Sequence, residues 1–165
     1  MSRPPQIAVI GSGAGDASLA SLAEEVGRLV AEAGARTVCG GLGGVMEAAA
    51  RGASSAGGEV IGIVPTESPD YANAYVSHPV ATGIGHARNL AVVASADAVV
   101  AVGGEWGTLS EIGFARRLGR VVIALESWSV RGREGLADAP GIVPVDTPGE
   151  AVQAALQATR ARTHL

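Results

Sequence analysis

Six short apolar runs recur along the chain: Ile7–Ile10, Thr37–Cys39, Val60–Val64, Ala98–Val102, Val121–Leu125 and Ile142–Val145. None alternates between apolar and polar residues, as a strand with one wet face does, so they predict strands covered on both faces. Helix-length segments separate them, at residues 17–33, 44–56, 86–95, 108–118 and 149–162. Strand, helix and strand repeated in this way predict a parallel sheet with right-handed crossovers. The expected fold is α/β, a doubly wound parallel sheet forming one three-layer domain over residues 1–165. No linker or shift of composition divides the chain, and 165 residues suit one domain. Two irregular stretches stand out, Pro65–Ile84 and 126–140, and loops of that length are often functional. The first is either a covering flap or a direct ligand contact, and Thr159–Leu165 reads as a frayed helix end.

With 24 glycines and only five aromatic residues, the core must consist of Ala, Val, Leu and Ile. All 12 basic residues are arginine. The lack of lysine excludes a pyridoxal Schiff base, a Walker A lysine and a lysine general base. A single cysteine, Cys39, excludes an internal disulfide and a cysteine zinc site. Three scattered histidines make a metal cluster unexpected, so neither a metal nor a resident cofactor is assigned. A net charge of −4 without a basic run argues against nucleic-acid partners. The first apolar run is too short for a signal peptide, and no stretch reaches the ~18 apolar residues of a membrane span. The expectation is therefore a cytoplasmic protein with no membrane partner.

Three glycine-rich turns follow strand-like runs. The first, Gly11-Ser12-Gly13-Ala14-Gly15-Asp16, lets backbone N–H groups approach a phosphate at a helix N-terminus. Asp16 or Ser18 is expected to cap the following helix. The sixth position is Asp16 and not glycine, and no acidic ribose hook follows the second strand, so the usual NAD fingerprint is weak. The second turn, Gly40-Gly41-Leu42-Gly43-Gly44, has more glycines than turn geometry requires. Either a ligand or the neighbouring loop packs on its backbone. Met46 behind it serves core packing or lines the ligand site.

The third turn, Gly103-Gly104-Glu105-Trp106-Gly107-Thr108, opens a helix at the carboxyl end of a strand expected to be central. Ligands of open α/β sheets lie at such ends. Thr108-x-x-Glu111 fits a capping box, which competes evenly with a catalytic role for Glu111. Arg88, in a helix's first turn, opposes the macrodipole and is expected to clamp a phosphate or carboxylate, or to pair with Glu47, Glu105 or Glu111. His86 reads as a cap or surface residue.

In order, the segments AVIGSG, GGLGGVMEAAARGA, GGEVIGIVP, GIGHARN and VGGEWGTLSEIGFA resemble a Rossmann-like superfamily. It includes the LONELY GUY cytokinin-activating phosphoribohydrolases, long misnamed lysine decarboxylases. The GGEWGTLSE form is closer to the branch holding molybdenum cofactor carrier proteins and uncharacterised nucleotide-binding homologues. The hydrolases' signature is PGGxGTxxE after an Arg-Lys pair. Gly104, Gly107, Thr108, Glu111 and Arg88 match it, whereas Gly103, Glu105 and Asn89 replace a proline, a glycine and the lysine.

The resemblance implies a carrier-type protein for a phosphorylated nucleotide-like or molybdopterin-like ligand. Gly11, Ser12, Gly13, Gly41, Gly43, Gly44, Met46, Gly104, Gly107 and Thr108 are the expected binding residues. The alternative is a phosphoribohydrolase acting on a nucleoside 5′-monophosphate, with Arg88 and Glu111 catalytic. Superfamily habit and the apolar residues Ile112, Phe114, Ala115 and Leu118 on two faces of one helix suggest a homo-oligomer, dimer or tetramer.

Overall fold

A computed structural model describes residues 3–132 and 141–162. Seven strands form one parallel sheet in the order β4-β3-β2-β1-β5-β6-β7. They are β1 (Gln6–Gly11), β2 (Arg36–Cys39), β3 (Val60–Val64), β4 (His78–Ala81), β5 (Ala98–Val102), β6 (Val122–Leu125) and β7 (Ile142–Val145). The helices are α1 (Ala17–Glu32), α2 (Val45–Ser55), α3 (Arg88–Ala94), α4 (Trp106–Arg117) and α5 (Pro148–Arg162). Helices α1, α2 and α5 contribute to a core on one face of the sheet, and α3 and α4 to the core on the other. Side chains of β1 alternate between them, Ile7 and Val9 on one side and Ala8 and Ile10 on the other. Two buried layers on one sheet explain why the strand sequences carry no polar alternation.

The strand at His78–Ala81 is a correction, because it lies inside the segment read as irregular. As an edge strand it is largely exposed and includes Pro79, so it lacks the apolar signature of the inner strands. The opposite edge, β7, also carries a proline, Pro144. The helix end read as frayed remains helical through Arg162, with Thr159 buried and its hydroxyl bonded to the Leu156 carbonyl. Residues 133–140 of the second irregular stretch, and 163–165, lie outside the described residues.

Helices α1 and α2 meet backbone to backbone. Added Cβ atoms on Gly27 and Gly52 would collide with the carbonyl oxygens of Ala49 and Glu24, respectively. This contact fixes the two loops that enter these helices, the first and second glycine turns. Asp16 is the cap of α1, its carboxylate accepting from the N–H groups of Ser18 at 2.9 Å and Leu19 at 3.1 Å.

Candidate functional site

Chain connections run outward in opposite directions from β1 and β5, which lie side by side. Such a switch point opens a crevice at the carboxyl ends of the strands. Here it holds a polar pocket of about 130 Å³, lined by Gly11, Gly40, Met46, Arg88, Asn89 and Glu111 among others.

Arg88 opens α3 after a short 3₁₀ turn, Gly85–Ala87, and is only 7% exposed. Its guanidinium lies over Gly40, where any Cβ would collide with it. The buried Nε has no hydrogen-bond partner, and Arg88 forms no ion pair among the described residues. Pairing with Glu47, Glu105 or Glu111, one of the two expected roles, is therefore not found. Burial pulls its pKa below the ordinary arginine value, while Glu111 and Cys39 act in the opposite direction.

Glu111 is 6% exposed and belongs to the buried stripe Thr108, Glu111, Ile112 and Ala115. Burial pushes its pKa up to about 8, and the charge of Arg88 only partly offsets this. At neutral pH the carboxyl therefore carries a proton and can donate a hydrogen bond. The capping-box reading fails because α4 begins two residues before Thr108. Glu105 is the N-cap, without a side-chain cap bond, and Glu111 lies a turn inside the helix. Beside the pocket, burial raises the Cys39 thiol to about 11, which leaves it protonated and unreactive.

The three glycine turns are held in different ways. In the first, the Ser12 hydroxyl donates to Glu105 Oε1 at 3.0 Å and accepts from the Ala14 N–H at 3.0 Å. In the second, Gly44 has φ 64°, and a Cβ there would strike the Ser12 carbonyl, so the neighbouring loop accounts for this glycine. Gly41, with φ 74°, packs on Val64, and Asn73 donates to the carbonyls of Gly41 and Leu42. The Pro65–Ile84 segment thus clamps this turn. Gly43 and Gly13 stay uncrowded, the latter near the Met46 methyl. In the third, Thr108 turns onto Gly104, whereas Gly107 is open toward Asn89. No side chain caps α2 or α4.

The structure thus gathers Gly11, Met46, Arg88 and Glu111 around one pocket. Ser12, Gly13, Gly43, Gly104, Gly107 and Thr108 lie on the adjoining turns, outside the pocket lining. Gly40 and Asn89 line it without having been singled out as binding residues. Their signal was position, beside the second turn and directly after Arg88.

A family model for the SLOG cluster4 family matches residues 4–152. The chain belongs to that family. Every residue of the pocket falls within the SLOG cluster4 match. An uncharacterised protein of Archaeoglobus fulgidus is 44% identical over 147 residues, covering 89% of this chain and 91% of its own. The molybdenum cofactor binding protein of Rippkaea orientalis superposes with a TM-score of 0.85 at 32% identity, over 94% of this chain and 97% of that one. The molybdenum cofactor carrier protein of Chlamydomonas reinhardtii gives 0.84 at 30% identity, over 96% and 99%. These matches bear out the superfamily resemblance and the doubly wound α/β fold. Among the described residues no His, Cys, Asp or Glu cluster is placed to hold a metal, and no helix is long and apolar enough to cross a membrane.

Proposed function

We propose that the protein is a carrier-type binding protein for a small phosphorylated ligand, pterin-like or nucleotide-like. The observation that carries this reading is Arg88, a buried cation at the switch point of the sheet whose Nε has no hydrogen-bond partner and which forms no ion pair among the described residues. An unpaired buried charge costs several kcal/mol, so its retention makes sense where an anion completes it. The uncapped N-termini of α2 and α4 and the open turns at Gly13, Gly43 and Gly107 add amide donors along the same rim. Likeness to a molybdenum cofactor binding protein and a molybdenum cofactor carrier protein supports the pterin-like class. The test is thermal stabilisation by a panel of nucleoside monophosphates and molybdopterin, with the ligand recovered unchanged. A melting temperature that stays flat across the panel overturns the reading.

One observation favours phosphoribohydrolase as a second reading: Glu111 holds a proton beside Arg88 at neutral pH. Such a group can protonate the departing base of a nucleoside 5′-monophosphate while water adds to the ribose carbon. Release of adenine and ribose 5-phosphate from AMP, lost in Glu111→Gln, supports hydrolysis; no release removes it.

Self-association belongs to the same proposal. Leu90 on α3 and Phe114 and Leu118 near the end of α4 are exposed apolar side chains that suit a second copy. Light scattering that gives the monomer mass of 16.4 kDa contradicts it.

A further inference from the structure

The Arg88 pocket, at about 130 Å³, has room for roughly four waters, which suits one phosphate or carboxylate and no ring system. Sites for whole small molecules usually enclose roughly 300–1,000 Å³. A shallow, open depression of about 520 Å³ lies beside Gly103, Gly104, Glu126 and Trp128. Gly11 pairs with Val102, so pocket and depression start from adjacent strand ends, roughly 4.8 Å apart.

Trp128 lines this depression, and Trp106, the chain's other tryptophan, packs against Trp128 just outside the lining. The rings of Trp106 and Trp128 lie 5.3 Å apart at a 41° tilt. Trp106 is the first residue of α4, is 76% exposed and takes no part in either core. Trp128 is fixed by its indole N–H, which donates to the Glu105 carbonyl at 3.3 Å. Ser127 is tied back to the Gly103 carbonyl. Glu126, with φ 47°, is the one non-glycine residue of left-handed backbone among the described residues. It turns the chain leaving β6 back over the end of β5, and such strain gathers at ligand sites.

We propose that Trp106, Trp128 and Glu126 form a subsite for a planar fused heterocycle with adjacent N–H donors on one edge, the chemistry shared by guanine and pterin rings. The exposed face of Trp106 supplies the stacking surface. The Glu126 carboxylate accepts the paired N–H groups of the 2-amino edge, which adenine does not present. The subsite rests on the carrier reading, with the anionic end of the same ligand in the Arg88 pocket.

The chain's tryptophans all belong to this subsite, so their emission reports on it alone. Guanosine and neopterin, which carry no phosphate, test it without the anion pocket, by emission and by titration calorimetry. Saturable binding is expected with both, the tighter one identifying the natural ring, and weaker binding is expected with adenosine. Trp106→Ala should bind about fivefold or more weakly with an unchanged ligand-free melting temperature. Glu126→Gln should lose the preference for guanosine over adenosine. No heat or emission change with guanosine and neopterin overturns the proposal, as does undiminished affinity in Trp106→Ala or equal binding of adenosine. Ribose 5-phosphate tests the other half: thermal stabilisation by it without a guanosine response leaves the anion reading standing and the subsite refuted. The reverse pattern keeps the subsite and refutes the anion reading.

Discussion

Ser12 on the first glycine turn donates its hydroxyl to the Glu105 carboxylate on the third, at 3.0 Å. A negative side chain therefore stands between the first and third glycine turns. Glu105→Gln keeps an acceptor for Ser12 and removes the charge. Its affinity for ribose 5-phosphate should rise by roughly threefold to tenfold, the gain shrinking with salt, as charge screening requires. Isothermal titration at two ionic strengths checks both effects.

Glu111 makes stability fall with rising pH. Its folded pKa, about 8, lies above the ordinary 4.5, so between those values the unfolded chain releases a proton that the folded chain keeps. Stability is full below 4.5 and declines by about 1.4 kcal/mol per pH unit at most until the folded carboxyl ionises near 8. Glu111→Gln should match the wild type at pH 5 and exceed it at pH 8.5 by about 1–3 kcal/mol. Urea denaturation across that range measures the difference, and parallel curves would remove the argument.

Arg88→Met should separate stability from binding. The guanidinium is desolvated without an ion-pair partner among the described residues, and an apolar side chain of similar length removes that penalty. The ligand-free variant should gain about 1–2 kcal/mol while losing the thermal response to phosphorylated ligands. A variant that is less stable and still responds would show that Arg88 is a structural residue.

Gly27 and Gly52 let α1 and α2 touch through their backbones. Either Gly→Ala substitution should cost about 1–3 kcal/mol, although alanine is the better helix former, because overpacking outweighs propensity here. Chemical denaturation of the two single variants and the double variant tests this. The double should cost less than the sum, since one separation of the helices relieves both collisions.

The inner strands and the helices between them were legible because two-sided burial leaves long apolar runs, and Ala98–Val102 matches its expected bounds. The edge strand at His78–Ala81 was not, because its residues face water and follow no apolar rule. Arg88 and Glu111, both singled out in the sequence, line one pocket, but the spacing around Glu111 was misread. Thr108 and Glu111 have capping-box spacing, yet Glu111 also continues the apolar stripe of Ile112 and Ala115. A carboxylate on a buried stripe was the stronger signal. Nothing local announces that Asn73 anchors a turn more than 30 residues away; that link exists only once β4 is in place.

Pro79 and Pro144 sit one at each margin of the sheet. Lacking an N–H, neither can extend the ladder to an arriving strand, so neither margin is a template for open-ended fibre growth. Association of copies through helix or loop surfaces, by contrast, permits closed, countable assemblies and leaves the crevice at the strand ends clear of strand stacking.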